Sequence, residues 1–69
     1  MTARTTPGDD RLPRIGAPAT RALALIGVTR LTQLTTVRET DLLALHGVGP
    51  RAVGILRAAL AERGLSFAG

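Results

Sequence analysis

The stretch Leu45-His46-Gly47-Val48-Gly49-Pro50-Arg51-Ala52 constrains this chain more than any other, because it breaks one helical pattern and starts the next. Two glycines flanking a single aliphatic residue predict a tight turn, since glycine enters positive φ without steric cost and lets another backbone approach closely. Proline follows at once. At the first position of a helix its missing N–H has no intrahelical partner to lose, and its fixed φ is already helical. The free amides beyond it stand at the positive end of a helix dipole, where anions bind. The turn from Gly47 through Val48 and Gly49 to Ala52 therefore reads as a phosphate grip made of backbone, with Arg51 adding charge. The alternative is a plain αα-hairpin whose amides face water, as in protein-interaction modules of similar shape.

The helical pattern extends in both directions from this turn. From Pro50 to about Arg63, Val53, Leu56 and Leu60 fall on one stripe with Ala52, Ile55 and Ala59 beside it, the largest expected contribution to a core. Gly64 stops this helix, and Leu65 and Phe67 are placed to fold back over its end as in a Schellman motif. Upstream, Thr36-Val37-Arg38-Glu39 has the form of a capping box. It predicts a helix from about Val37 to Leu45 with Leu42, Leu43 and Leu45 on its apolar face, and with Arg38 spaced to contact Asp41 or Leu42. Val28, Leu31 and Leu34 recur at i, i+3 and i+6, which predicts a short helix capped by Thr29, although its threonines favour helix poorly. Ala19 to Ile26 predicts a further short helix, with Pro18 in its first turn, Gly27 as its stop and an apolar contact between Leu23 and Ile26. Met1 to Asp10, polar and without an apolar period, is expected to be a disordered tail, leaving 11–69 as one domain.

Composition narrows the function. A chain of 69 residues forms at most one small domain. It has no cysteine and one histidine, so disulfides, thiolate metal sites and histidine clusters are excluded, and neither a metal nor a cofactor is expected. Phe67 is the sole aromatic residue, which argues against recognition by base stacking. Nine basic residues, all arginine, outweigh five acidic ones for a net charge of +4. Such a field favours phosphate polymers and anionic surfaces, and arginine binds phosphate bidentately. The chain contains no apolar run long enough for a bilayer and its start lacks a signal-peptide core, so a soluble cytoplasmic protein with no membrane partner is expected. His46 is expected either to cap the preceding helix or to lie partly exposed. Arg57 and Arg63, away from the start of the last helix, read as structural or solvating. Ser66 lacks a base partner, and Glu39, Asp41 and Glu62 are spread along helices as caps and surface charge. No catalytic constellation emerges, and no enzyme is expected.

The segment Ile15-Gly16-Ala17-Pro18-Ala19 echoes Val48-Gly49-Pro50-Arg51-Ala52. Leu23 then falls opposite Leu56, and the two helices end in Gly27-Val28 and Gly64-Leu65, the pattern of a duplicated two-helix unit. Arg14, Gly16 and Arg21 would supply a second phosphate contact at the first turn. Leu45 to Val53 resembles the second half of a helix-hairpin-helix motif: aliphatic, x, Gly, aliphatic, Gly, then a basic and a small residue. The resemblance extends over about Leu12 to Phe67 to the C-terminal domain of the bacterial RNA polymerase alpha subunit. It rests on Glu39-Thr40-Asp41-Leu42-Leu43, the helix Ile55 to Arg63 and the ending Gly64-Leu65-Ser66-Phe67.

That resemblance implies a compact all-α fold of four to five helices built from two helix-hairpin-helix units. It also implies binding of duplex DNA through the phosphate backbone and minor groove with little sequence preference. It carries DNA contacts onto Gly49 and Arg51, whereas its other contacts, an Arg and an Asn near the first helix, fall on Pro18 and Arg21, where neither is present. The expected DNA-binding residues are thus Gly47, Val48, Gly49, Arg51 and Ala52 at the second turn, with Gly16, Arg14 and Arg21 at the first. The alternative partner is another protein, with the chain as an adaptor linked to transcription. Charge alone leaves RNA open as a third.

Overall fold

The computed structural model describes residues 10–68. Four helical elements follow one another: α1 (Ala17–Leu25), a 3-10 helix (Leu31–Thr36), α2 (Glu39–Leu43) and α3 (Pro50–Glu62). Among the described residues there is no strand, only isolated bridges of Arg11 with Arg30 and of Arg38 with Ala68. The all-α expectation holds, and among the described residues no helix is long and apolar enough to cross a membrane. Residues 1–9 of the expected tail lie outside the described residues.

Each element sends at least one leucine to a common centre. Leu23 of α1, Leu34 of the 3-10 helix, Leu42 of α2, and Leu56 and Leu60 of α3 are fully buried there. The expected stripe of α3 is the spine of this core, because α3 packs on both α2 and the 3-10 helix. Leu65 and Phe67 fold back against it, half-buried, as the sequence predicts.

The two longer helices end in the same way. The Val28 N–H donates to the Leu23 carbonyl at 2.8 Å and the Gly27 N–H to that of Ala24 at 3.0 Å. The Leu65 N–H donates to the Leu60 carbonyl at 2.9 Å and the Gly64 N–H to that of Ala61 at 3.0 Å. These are paired Schellman bonds, which turn the chain back so that the residue after glycine meets the core. Val28 is accordingly buried, and it takes the place expected for Ile26, which is 46% exposed.

The middle of the chain departs further from expectation. Leu31 and Leu34, both buried, stand one above the other because a 3-10 helix repeats every three residues. Thr29 does not cap this helix. The cap residue is Arg30, and the Gln33 side chain reaches back so that its Oε1 accepts the N–H groups of Thr29 at 2.7 Å and Arg30 at 2.8 Å. The next orphan amide, that of Thr32, donates to Asp10 Oδ1 at 3.0 Å, while the Thr32 hydroxyl donates to Asp10 Oδ2 at 3.0 Å. Arg63, just beyond α3, donates to the same carboxylate at 3.2 Å. Asp10, expected in the tail, is therefore a clasp between the 3-10 helix and the end of α3.

The capping box at Thr36 does not form. The Thr36 hydroxyl donates instead to the Gln33 carbonyl at 2.9 Å, and Val37 stays extended with its carbonyl accepting the Ala68 N–H at 3.0 Å. α2 can start only after this extended segment, so it begins at Glu39 rather than Val37 and ends at Leu43 rather than Leu45. No ion pair of Arg38 with Asp41 forms among the described residues; Arg38 is instead the cap residue of α2, its carbonyl accepting the amides of Asp41 and Leu42. Glu39 pairs through its carboxylate with Arg57. Leu42 is buried and Leu45 half-buried, but Leu43 is 41% exposed and lies off the expected apolar face.

After α2 the chain turns through Gly47, at φ 95°. A Cβ on Gly47 would stand 2.9 Å from the Pro18 carbonyl oxygen and 3.3 Å from Pro18 Cβ. The hairpin thus rests directly on the first turn of α1. Gly47→Ala is expected to lower stability by about 1–3 kcal/mol from backbone strain alone, with the Pro18 collision adding to it. Urea unfolding would measure the loss, and an unchanged midpoint would contradict the close approach.

Asp10 makes stability depend on pH. The Thr32 N–H is the main influence holding its carboxyl below the usual 3.8, the Thr32 hydroxyl and Arg63 act in the same direction, and partial burial opposes them. A carboxylate whose folded pKa is depressed contributes stability above its unfolded value and loses it as the pH falls through the folded value. Asp10→Ala should therefore unfold at a lower temperature than the natural chain at neutral pH, with the gap closing in acid below the depressed value. A thermal unfolding series over pH measures this, and a gap of constant size would remove Asp10 from the clasp.

Candidate functional site

The start of α3 is bare. Its cap residue, Gly49, has φ −112° and ψ 177°, an extended conformation open to any residue, and a Cβ there would meet nothing within 4 Å. The turn therefore uses only Gly47 for its positive φ, which corrects the expectation that both glycines serve it. The first intrahelical bond runs from the Val53 N–H to the Gly49 carbonyl at 3.1 Å. Pro50 has no N–H, and the amides of Arg51 and Ala52 have no backbone acceptor among the described residues. No side chain caps this end, and its first turn holds no acidic residue. The start of α1 is similar, with Gly16 as an uncapped cap residue, Pro18 in the first turn and no acid.

Both starts open onto one surface depression of about 410 Å³. The seat of Gly47 on Pro18 explains the convergence, since it brings the hairpin that precedes α3 against the first turn of α1. Arg14, Gly16, Gly47, Gly49, Arg51 and Ala52 line the depression, with Ile15 and Ile55 as its apolar wall. Among the described residues, no carboxylate lines it. Two guanidinium groups and the positive ends of two helices act on the same small volume, and their fields add there.

Two of the expected residues stand apart. Val48 is 7% exposed and belongs to the core, and its amide donates to the Leu45 carbonyl at 3.2 Å, so it is not free for an anion. The aliphatic residue between the glycines anchors the hairpin from inside. Arg21 lies across Gly47, on a second depression of about 350 Å³ shared with Pro18, Ala22, Leu25 and His46. His46 is exposed, the second of the two positions its sequence context allows.

The remaining charges sort clearly. Arg57 and Arg63 are held by Glu39 and Asp10, in keeping with the structural role expected of them. Arg14, Arg21 and Arg51 are exposed and have no carboxylate partner among the described residues. Ile15, Ile55 and Leu25 were not foreseen at the surface of a site. Leu25 is the sharpest of these, at 84% exposure, and a signal for it existed. Ala19, Ala22 and Leu23 mark the buried face of α1 at helical spacing, and Leu25 falls outside that stripe.

Compared with protein-family models, with curated proteins and with solved structures, the chain gives no match in any of the three.

Proposed function

We propose that the chain is a small DNA-binding module with two helix-hairpin-helix units, resembling the C-terminal domain of the bacterial RNA polymerase alpha subunit. It grips duplex phosphates largely without regard to sequence. The observation that carries this reading is the depression on which the bare starts of α1 and α3 open together, flanked by Arg14 and Arg51 and lined by no carboxylate among the described residues. A phosphate seated there accepts the free amides of Arg51 and Ala52 and pairs with the two guanidinium groups. Such contacts fix the position of a duplex and read no bases. The depression contains Gly49 and Arg51, the positions onto which the resemblance carries DNA contacts. The chain has no tryptophan or tyrosine, and its one phenylalanine packs against the core, so binding by base stacking is left without a platform.

The rival reading, an adaptor for another protein, draws on the exposure of Leu25, Ile26 and Leu43. Scattered exposed leucines are ordinary on the surface of a domain, whereas a convergence of two uncapped helix starts is not needed for folding.

Two to four phosphate contacts imply that log K falls with log salt with a slope of roughly −2 to −4 on duplex DNA. Fluorescence anisotropy across a salt series measures it, and a flat slope or no binding at low salt would overturn the proposal. Binding to DNA and RNA duplexes side by side tests the choice of polymer. Arg51→Glu is expected to leave the fold intact and to weaken binding.

Gly49→Asp separates stability from function. Its extended backbone suits an aspartate cap, whose carboxylate accepts the Arg51 or Ala52 amide, so stability should hold or rise by roughly a few tenths of a kcal/mol. The same carboxylate occupies the phosphate position, and DNA binding should be lost. A variant with undiminished binding and a formed cap would show that these amides do not touch phosphate.

A further inference from the structure

The segment from Asp10 to Gly16 lies before the first helix, yet it is tied at both ends. Asp10 accepts the Thr32 amide and hydroxyl, each at 3.0 Å, and pairs with Arg63 at 3.2 Å. At the other end the Gly16 carbonyl accepts the Thr20 N–H at 3.0 Å, the bond that starts α1. Between these anchors the segment follows α3 from its end back to its start. Arg11 and Pro13 line a depression with Ala59, Glu62 and Arg63, whereas Arg14, Ile15 and Gly16 line the primary depression with Ile55, Ala52 and Arg51. Leu12 and Ile15, half-buried, pack against the core, and Arg11 forms a bridge with Arg30. The 13 residues of α3 are about 20 Å long, and residues 10–16 reach about 23–25 Å when fully extended. This strap has little slack. Pro13 stiffens it further by fixing its own φ and turning Leu12 toward extended backbone.

We infer that Asp10 is a positioning residue for the anion site: its clasp on Thr32 and Arg63 holds the strap along α3, and the strap presents Arg14 to the depression that Gly49 and Arg51 also line. This inference rests on the phosphate-binding reading of that depression. Arg14 is exposed and has no carboxylate partner among the described residues, so its place is set by the backbone that carries it. That backbone is anchored at Asp10. Charge and position then act in opposite directions. Through its charge alone an acid opposes the binding of phosphate, and its removal would tighten the complex. Through the strap its removal weakens the complex, because ordering Arg14 then costs free energy at the moment of binding.

The test uses the full chain and a fluorescein-labelled, mixed-sequence DNA duplex, with anisotropy titrations at several salt concentrations below the unfolding temperature of each variant. Arg14→Gln and Arg51→Gln should each reduce the magnitude of the salt slope by about one, as removal of a phosphate contact does. Asp10→Ala should weaken binding and reduce the slope by the same amount. In that background Arg14→Gln should add nothing, while Arg51→Gln keeps its full effect. Asp10→Asn removes the same charge but keeps an oxygen for the Thr32 amide and an N–H for the Thr32 hydroxyl, and it should restore the natural slope. If circular dichroism shows that Asp10→Ala does not fold, Pro13→Gly takes its place, because it frees the strap backbone, leaves every charge in place and should lower the slope in the same direction. The inference is overturned if Asp10→Ala, or Pro13→Gly in its place, keeps the natural slope or binds more tightly, or if Asp10→Asn fails to restore the slope. It is overturned as well if Arg14→Gln alone changes nothing, or if Asp10→Ala also removes the effect of Arg51→Gln. In each of these cases the phosphate reading stands as long as Arg51→Gln lowers the slope of the natural chain. If the natural chain fails to bind, or neither Arg14→Gln nor Arg51→Gln changes the slope, the underlying reading fails with the inference.

Discussion

The contact on which the rest of this structure depends is the seat of the Gly47 backbone on the carbonyl of Pro18. Nothing larger than hydrogen fits on Gly47 at this point, so the hairpin between α2 and α3 is held against the first turn of α1. Val48, buried next to it, pulls the same hairpin inward. The starts of two helices that are far apart in sequence consequently open onto one depression. Without the close approach α1 and α3 could still share a leucine core, but their N-terminal ends would not act together on one small volume.

Charge follows a similar division. The chain carries an excess of arginine, yet the arginines are not equivalent. Arg57 and Arg63 are occupied by Glu39 and Asp10, and these pairs lie around the frame of the 3-10 helix, α2 and α3. Exposed pairs contribute little free energy on their own. Their larger consequence is positional, because they hold Glu39 and Asp10 at the frame, and among the described residues no carboxylate pairs with Arg14, Arg21 or Arg51. Asp10 adds more than charge, since it also accepts the amide and hydroxyl of Thr32 and so supplies the helix cap that the local sequence does not form.

What was legible in the sequence was local. The Gly-aliphatic endings of α1 and α3, the α3 stripe and the proline starts all depend on neighbours within one or two turns, and each was readable from spacing. The misreadings arose where a distant segment decides. Val37 is extended because Ala68 pairs with its carbonyl, which shortens α2 and removes the Thr36 capping box. Asp10 is ordered because it caps a helix 22 residues away. The short helix expected from Val28, Leu31 and Leu34 is present, and its repeat of three residues is that of the 3-10 form it takes; only the cap moves, from Thr29 to Arg30. At the site, Arg14 and Gly16 of the first turn and Gly47, Gly49, Arg51 and Ala52 of the second line one depression, a convergence that spacing within either turn does not reveal. Val48 was misjudged, because the pattern Gly-x-Gly does not say which way the middle residue points.

The least expected result concerns Gly49, and it bears on why the two helix starts are bare. Its backbone is extended, so no conformational need requires glycine there. A serine, threonine, asparagine or aspartate would adopt the same dihedrals and cap the helix more strongly. The chain does place capping groups elsewhere: Gln33 and Asp10 satisfy the start of the 3-10 helix, and Glu39 and Asp41 stand in the first turn of α2. At α1 and α3, the two starts that open onto the shared depression, it has neither a side-chain cap nor an acid in the first turn. A capping oxygen at Gly49 would take the Arg51 or Ala52 amide, and an acid would cancel the field of Arg14 and Arg51. Bare glycine at this position keeps donors and charge available for an anion from outside the chain, which is the same property that makes the helix start less stable than it need be.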